Sequence, residues 1–383
     1  MSTLNIDLSL KSVKIKRRKH RFLSERMWVR QLSINYFDIM VLDCLEKIDA
    51  ERSQSAVFHL LKGKRSSQTI QDAGLFQIAK YFGMVPDCSR SDITASLKKL
   101  KQLAFVKAMN ETDTYRVTAE GTQELKRALF ARPWPAHCHG AYHQQAAKIF
   151  WKRFSLLVQV LSNKQHHCQR YTPITKDTQI LQWVKRYLRR HPDHNALSAS
   201  VWGMITDHLN KLSEKQAFIF VYSLTSYERI GYTNRQLADS LREDERYVYI
   251  LFWGAVHYFI QSIPHCEHSV LADLLSDTVL ESALTQSARK TLHLVQKGFP
   301  IERIAGIRNL KTATIEDHIV EISLHQPSFF IEQYISKEEQ QRIVEFAKNM
   351  QTNKMKRIRE GLHQQFSYFQ IRLALAKTVS QYE

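Results

Sequence analysis

Apolar residues along this chain recur mostly at three- and four-residue intervals, a spacing that predicts helices almost throughout. Phe37, Met40, Val41, Cys44, Leu45 and Ile48 share one helical face, and Glu51 to Leu61 reads as a second helix. The run Lys62-Gly63-Lys64-Arg65-Ser66-Ser67 breaks the pattern, and a third helical region runs on to Gly83. Ser91-Asp92 reads as the cap of a helix that buries Ile93, Leu97 and Leu100 and leaves Lys98, Lys99 and Lys101 outside. Two short β-prone segments follow, Ala104–Met109 and Thr114–Val117, joined by the turn residues Asn110-Glu111-Thr112-Asp113. A helix at 119–131 then ends at Ala131-Arg132-Pro133-Trp134-Pro135, where two prolines forbid continuation.

Farther along, Phe150, Trp151, Phe154, Leu157, Val160 and Leu161 form one apolar stripe within a helical stretch at 141–200. Residues 201–263 give a helix, a break at Gly231, the short helix Thr233–Leu241 and another helix, which is a helix-turn-helix layout. A third such layout lies between Gly298 and His318. Gly298 closes one helix, Ile301, Ile304 and Ala305 give the next its buried stripe, and Lys311-Thr312 starts another, lined by Ile315, Ile319 and Ile322. The fold expected is mainly α, with an N-terminal winged helix carrying a small β-hairpin, a central helical region and a C-terminal helix-turn-helix domain. Its expected boundaries are a basic arm at 1–35, the winged helix at 36–132, the central region at 141–263 and the last domain at 281–383.

Composition changes this picture in two ways. With 44% apolar residues in 383 and only 11 Gly and 8 Pro, the chain can build several cores and has little material for long flexible linkers. The 55 Lys and Arg against 37 Asp and Glu leave a net charge of +18, which suits a polyanion such as DNA. The excess is densest in the run Lys14-Ile15-Lys16-Arg17-Arg18-Lys19-His20-Arg21, which reads as a solvated arm able to add non-specific phosphate attraction. No apolar segment is long enough for a membrane span, and five scattered cysteines argue for reduced thiols, so a cytoplasmic, nucleoid-associated protein is expected.

Candidate chemistry narrows to binding. Gly63-Lys64-Arg65-Ser66 is not a nucleotide-binding loop, because Phe58 stands where that motif needs Gly and Arg65 where it needs Ser or Thr. Lys64, Arg65, Ser66 and Ser67 fit a DNA-phosphate site at the start of a helix, with Lys98, Lys99 and Lys101 adding charge. The third helix of the last layout is expected to expose Glu316, Asp317 and Glu321 beside Thr314 and His318, with Arg308 pairing to Glu316 or Asp317. Carboxylates are repelled by phosphates, so Arg308, Thr314 and His318 read as a protein-docking surface. His137-Cys138-His139, His166-His167-Cys168 and His265-Cys266-Glu267-His268 lack the regular paired spacing of zinc knuckles, and neither a metal nor another cofactor is expected. Trp151, Trp183, Trp202 and Trp253 read as core residues, and no catalytic constellation is recognisable, so an enzyme is not expected.

Residues Phe58–Lys126 resemble the winged helix that follows the motor of RecQ-family helicases. The resemblance is carried by His59-Leu60-Leu61-Lys62-Gly63-Lys64-Arg65-Ser66, Tyr81-Phe82-Gly83, the helix Asp92–Leu103 and Tyr115-Arg116-Val117-Thr118-Ala119-Glu120-Gly121. Residues Thr285–Ala376 resemble the helix-turn-helix module at the C-terminus of many such helicases, through Gly298, Ile304-Ala305, Arg308-Asn309-Leu310, Thr314-Ile315-Glu316-Asp317-His318 and Ser367-Tyr368-Phe369-Gln370-Ile371-Arg372. The two modules in this order, without a motor, resemble the YpbB family of Gram-positive bacteria. Two departures from the RecQ pattern stand out, the lack of a four-cysteine zinc module and the lack of an aromatic in the tip Asn110-Glu111-Thr112-Asp113. The resemblance implies a non-catalytic DNA-binding accessory of a RecQ-type helicase, acting on branched or junction DNA in repair, recombination or replication. The alternative is a helix-turn-helix transcriptional regulator bound to a specific duplex sequence.

Overall fold

The computed structural model describes residues 34–109, 113–263, 269–277, 284–326, 328–350, 352 and 355–382. The basic run at 14–21, the tip residues 110–112 and the His265–His268 cluster lie outside them. The chain is mainly helical, and its β structure among the described residues is one antiparallel hairpin. It divides into two compact units. One comprises Lys126–His139 and His143–Leu280 with the start of the first helix; the other joins Met40–Leu125 and Gly140–Tyr142 to Glu281–Glu383, so it is built from distant parts of the chain.

In this second unit, helices α1 (Tyr36–Ile48), α2 (Gln54–Lys62), α3 (Ser67–Leu75) and α4 (Arg90–Gln102) precede strands β1 (Val106–Met109) and β2 (Thr114–Val117) and the start of α5 (Ala119–Ala131). β1 and β2 pair in the register Val106–Val117, Lys107–Arg116, Ala108–Tyr115 and Met109–Thr114. Arg116 ties the hairpin to Asp49 at 2.8 Å. α2 ends at Gly63, whose φ of 79° lets its N–H and that of Lys64 reach back to carbonyls of the last turn. α4 begins two residues earlier than a cap at Ser91 would place it. Ser89 is the cap and Asp92 closes a capping box on it, which makes Arg90 the first helical residue.

The central unit holds α6 (Gly140–Gln165), which enters it at His143, and α7 (Thr178–Arg190), α8 (His194–Leu209), α9 (Glu214–Tyr222), α10 (Asn234–Leu241), α11 (Glu245–Gln261) and the single turn α12 (Val270–Asp273). Its core is aromatic. Phe220 and Phe259 stack at 4.6 Å, Phe150 stacks on Phe154 at 5.5 Å, and Trp151 meets Phe252 edge-on at 4.7 Å. Phe150 and Trp183 are buried, while Trp151, Trp202 and Trp253 are half-buried.

The remaining helices belong to the second unit: α13 (Gln286–Gln296), α14 (Ile301–Arg308), α15 (Thr312–His325), α16 (Lys337–Asn349), α17 (Met355–Gly361) and α18 (Tyr368–Tyr382). α15 is their hub and packs against α13, α14, α18 and also α3. Leu75 of α3 joins one core with Ile304, Ile315, Ile319, Val320 and Leu324. The approach is close because α3 offers Gly74, where an added Cβ would stand 2.9 Å from Leu324 Cδ2. Polar groups complete the seam. Gln71 Nε2 donates to the Asp317 carbonyl at 3.0 Å, and Arg372 donates both to Gln71 at 3.0 Å and to the Asp317 carboxylate.

Gly74→Leu should overpack this seam and cost about 1–3 kcal/mol, read as a Tm several degrees lower in differential scanning calorimetry. Gly203→Ala on α8, where a Cβ meets nothing within 4 Å, should instead stabilise by about 0.5–1 kcal/mol through helix propensity.

Candidate nucleic-acid interface

The helix-turn-helix geometry recurs at two places with the same turn. After α10, Arg242 adopts the left-handed conformation (φ 52°), and the Glu243 N–H donates to the Ala238 carbonyl at 2.9 Å. After α14, Asn309 does the same (φ 50°), and the Leu310 N–H donates to the Ala305 carbonyl at 3.0 Å. In both, the helix after the turn is largely enclosed. α11 buries Tyr247, Val248, Ile250–Phe252, Gly254–His257, Phe259 and Ile260.

α15 buries Ile315 and everything from His318 to Leu324, which overturns the expected exposure of Glu321 and His318, while Glu316 and Asp317 are half-exposed. Glu321 is fully buried and accepts hydrogen bonds from the backbone N–H and hydroxyl of Thr285, the N-cap of α13, where a helix N-terminus favours a carboxylate. Asp317 is taken by Arg372 rather than Arg308. Arg308 instead donates to the Ser287 carbonyl at 2.8 Å, to the Ser287 hydroxyl at 2.9 Å and to the Thr291 hydroxyl. His318, 3% exposed, bonds Thr291 Oγ1 through Nδ1 at 2.9 Å. Thr314 and Glu316 stay half-exposed, and Lys311, Thr312 and Ala313 are exposed. Of the expected docking residues, then, His318 faces the interior, Arg308 binds α13, and Thr314 alone retains a side toward solvent without a described partner.

α4 is different. It packs against α2 and β1 through Ile93, Ser96, Leu97 and Leu100 and leaves its other side open. Arg90, Thr94, Lys98 and Lys101 are all exposed, and their spacing of four, four and three residues places them on one stripe. Arg90 and Lys101 are roughly 16 Å apart along the axis. Lys99 falls on another side and is half-buried, so it does not belong to the stripe.

The Lys64 loop lies beside the start of that stripe. Arg90 and Lys62 both sit over the Phe58 ring, at 4.9 and 5.4 Å, and Arg90 also donates to Ser55 at 3.1 Å. Burial and then the charges of Lys64, Arg90 and Lys62 lower the pKa of His59, so the imidazole reports a positive field at this corner. Ser66 caps α3, accepting from the Thr69 N–H at 3.4 Å and sharing a 2.9 Å hydrogen bond with its hydroxyl. Ser67 is the first residue of α3, and its side chain lies outside the described set. Lys64 and Arg65 are exposed but border different clefts, Lys64 beside His59 and Asp72, Arg65 beside Leu324 and His325. Lys64, Arg90, Lys98 and Lys101 therefore form the candidate surface, with Arg90 the residue that the sequence reading missed.

Of the histidine-rich strings, 137–139 packs within the central unit, while His166 and His167 are exposed. His137 shares a hydrogen bond with Gln261 at 2.8 Å, the His139 N–H donates to His257 Nδ1 at 3.1 Å, and His166 stacks on Tyr227 at 4.3 Å. Burial pushes His139 and His143 down to about 4 and His257 to about 3, leaving all three neutral at pH 7. Among the described residues no group of three or more His, Cys, Asp or Glu is placed to hold a metal ion, and no helix is long and apolar enough to cross a membrane.

The chain is 65% identical to Protein YpbB of Bacillus subtilis (strain 168) over 352 residues, covering 92% of this chain and all of that protein. It belongs to the YpbB family. Residues 287–375, from α13 into α18, match the family described as a helix-turn-helix domain, a class suited to DNA binding. No solved structure matches the chain.

Burial first, then the Arg308 charge, lower the pKa of His318 to about 4. The neutral ring therefore contributes stability above pH 6.5 that is lost as pH falls toward 4. By pH 5 the loss should be about 2 kcal/mol. Calorimetric melts at pH 7 and 5 should show it, and His318→Gln should shrink the pH-dependent part.

Proposed function

We propose that the chain is a non-catalytic DNA-binding protein that grips the phosphate backbone at a junction and serves a RecQ-type helicase as an accessory in DNA repair, recombination or replication. In this reading residues 36–132 act as a winged helix, with β1–β2 as the wing and α4 as the helix laid on the duplex. The observation that carries it is the exposed stripe Arg90, Thr94, Lys98 and Lys101 on α4, next to Lys64, in a chain whose two other candidate recognition helices are largely enclosed. Three cations and one hydroxyl on that stripe, with Lys64 at its end, suit phosphates more than base edges, which favours a structure-directed binder over a regulator that reads one sequence.

The helicase partner rests on the resemblance of both modules to the tail of RecQ proteins. The seam between α3 and α15 supports it. Two modules joined in one compact unit can be supplied in trans as a single piece. The exposed first turn of α15, with Lys311, Thr312 and Thr314, is the part of the last module left for a protein partner.

Lys64→Ala with Arg65→Ala should weaken binding to duplexes of any sequence and flatten the dependence of log K on log salt by about one unit, the share of Lys64, since Arg65 borders another cleft. Arg90→Ala with Lys98→Ala and Lys101→Ala should flatten it by about three, while Lys99→Ala changes little; anisotropy from 50 to 200 mM salt reads all of these. Unwinding of a forked duplex by a RecQ-type helicase should rise on adding the intact chain and not on adding the triple variant. Sequence-specific binding without any effect on the helicase would instead favour the regulator.

A further inference from the structure

We propose that the cleft beside Lys64 receives one nucleobase turned out of the duplex, and that it selects bases carrying an exocyclic amine. This rests on the DNA-binding reading above and adds a second element of recognition to it. The cleft has a volume of about 250 Å³ between the end of α1, the start of α2 and the first turns of α3. That is below the roughly 300–1,000 Å³ of pockets for drug-sized ligands and suits a single ring system. Its apolar lining is the half-exposed Ala56 and the buried Ile48, Leu60 and Ile78.

Its polar groups are few and held in place. Asp72, 4% exposed, takes the Arg52 Nε on both carboxylate oxygens at 3.0 and 3.1 Å and Gln68 Nε2 on Oδ1 at 2.9 Å. A carboxylate has about four lone-pair sites, so Oδ2 can accept one more donor. The amines of cytosine, adenine and guanine supply that donor. Thymine has no exocyclic amine and presents carbonyl oxygens at the corresponding positions, which leaves only the N3–H between them as a donor. Ser53, the N-cap of α2, makes no side-chain capping bond and lines the same cleft. Lys64 lines the same cleft and is exposed, where it can hold the phosphate of the nucleotide whose base enters.

The test uses the full chain and three duplexes carrying a single unpaired cytidine, thymidine or abasic nucleotide, titrated by fluorescence anisotropy at one salt concentration. The unpaired cytidine should bind about tenfold tighter than the other two. In Ala56→Phe, which fills the cleft, and in Asp72→Asn, which replaces the accepting carboxylate, that ratio should fall toward one. Thermal melts establish that each variant is folded, and Asp72→Asn carries the test if Ala56→Phe is not. Equal affinity for all three duplexes, or a cytidine preference that survives in the folded variants, overturns the cleft proposal and leaves phosphate binding standing. Absence of binding to any duplex overturns both.

Discussion

The packing of α3 across α15 is the contact on which the rest of the arrangement depends. Gly74 admits Leu324, and Gln71, Asp317 and Arg372 hydrogen-bond one another across the two helices. A recognition helix needs a free outer stripe, and on α15 that stripe is spent on α3 and α18. The same contact fastens the α2–α3 loop to a large core, so Lys64 and the start of α4 are presented from a fixed base. Occupying one helix and exposing another are thus two results of one seam.

Much of this was readable from residue spacing, and the failures have a common cause. The hairpin and several helix ends follow from local chemistry, with Gly63 and Gly298 standing where the backbone turns left-handed, whereas the helical region expected to run on to Gly83 stops at Leu75 and the second helix starts at Gln54 rather than Glu51. What was not readable is where polar side chains on a helical wheel find their partners. Asp317 and Glu321 fall off the Ile315, Ile319, Ile322 stripe and so read as solvent-facing. Their partners, Gln71, Arg372 and Thr285, lie on other helices or at their caps, and Gln71 is 246 residues away from Asp317. Periodicity reports one apolar face, and a helix surrounded by neighbours has no face left over. Arg90 was overlooked for a smaller reason. Taking Ser91 as the cap puts Arg90 outside the helix, whereas capping by Ser89 brings it into register with Thr94, Lys98 and Lys101.

Charge in this chain is distributed by the same logic. A net +18 strains a compact fold by self-repulsion, and burial keeps interior histidines from adding to it: His139, His143 and His257 are neutral in one unit and His318 in the other. The charged groups that stay inside are paired, as Arg132 and Lys215 are on Glu243 and Arg52 is on Asp72. The positive excess is left to the surface, where the α4 stripe can meet an anionic partner.

The division of the chain also governs when its parts can mature. The segment between Leu125 and Glu281 is synthesised between the two halves of one unit. At about 5–20 residues per second, that interval is on the order of ten seconds or more. Until it ends, the nascent α3 carries Gln71, Gly74 and Leu75 without the helix that will cover them, and the central segment is complete before the last helices are made. Ribosomal synthesis therefore completes the middle of this protein before the unit built from both sides of it, with the seam that organises that unit closing last.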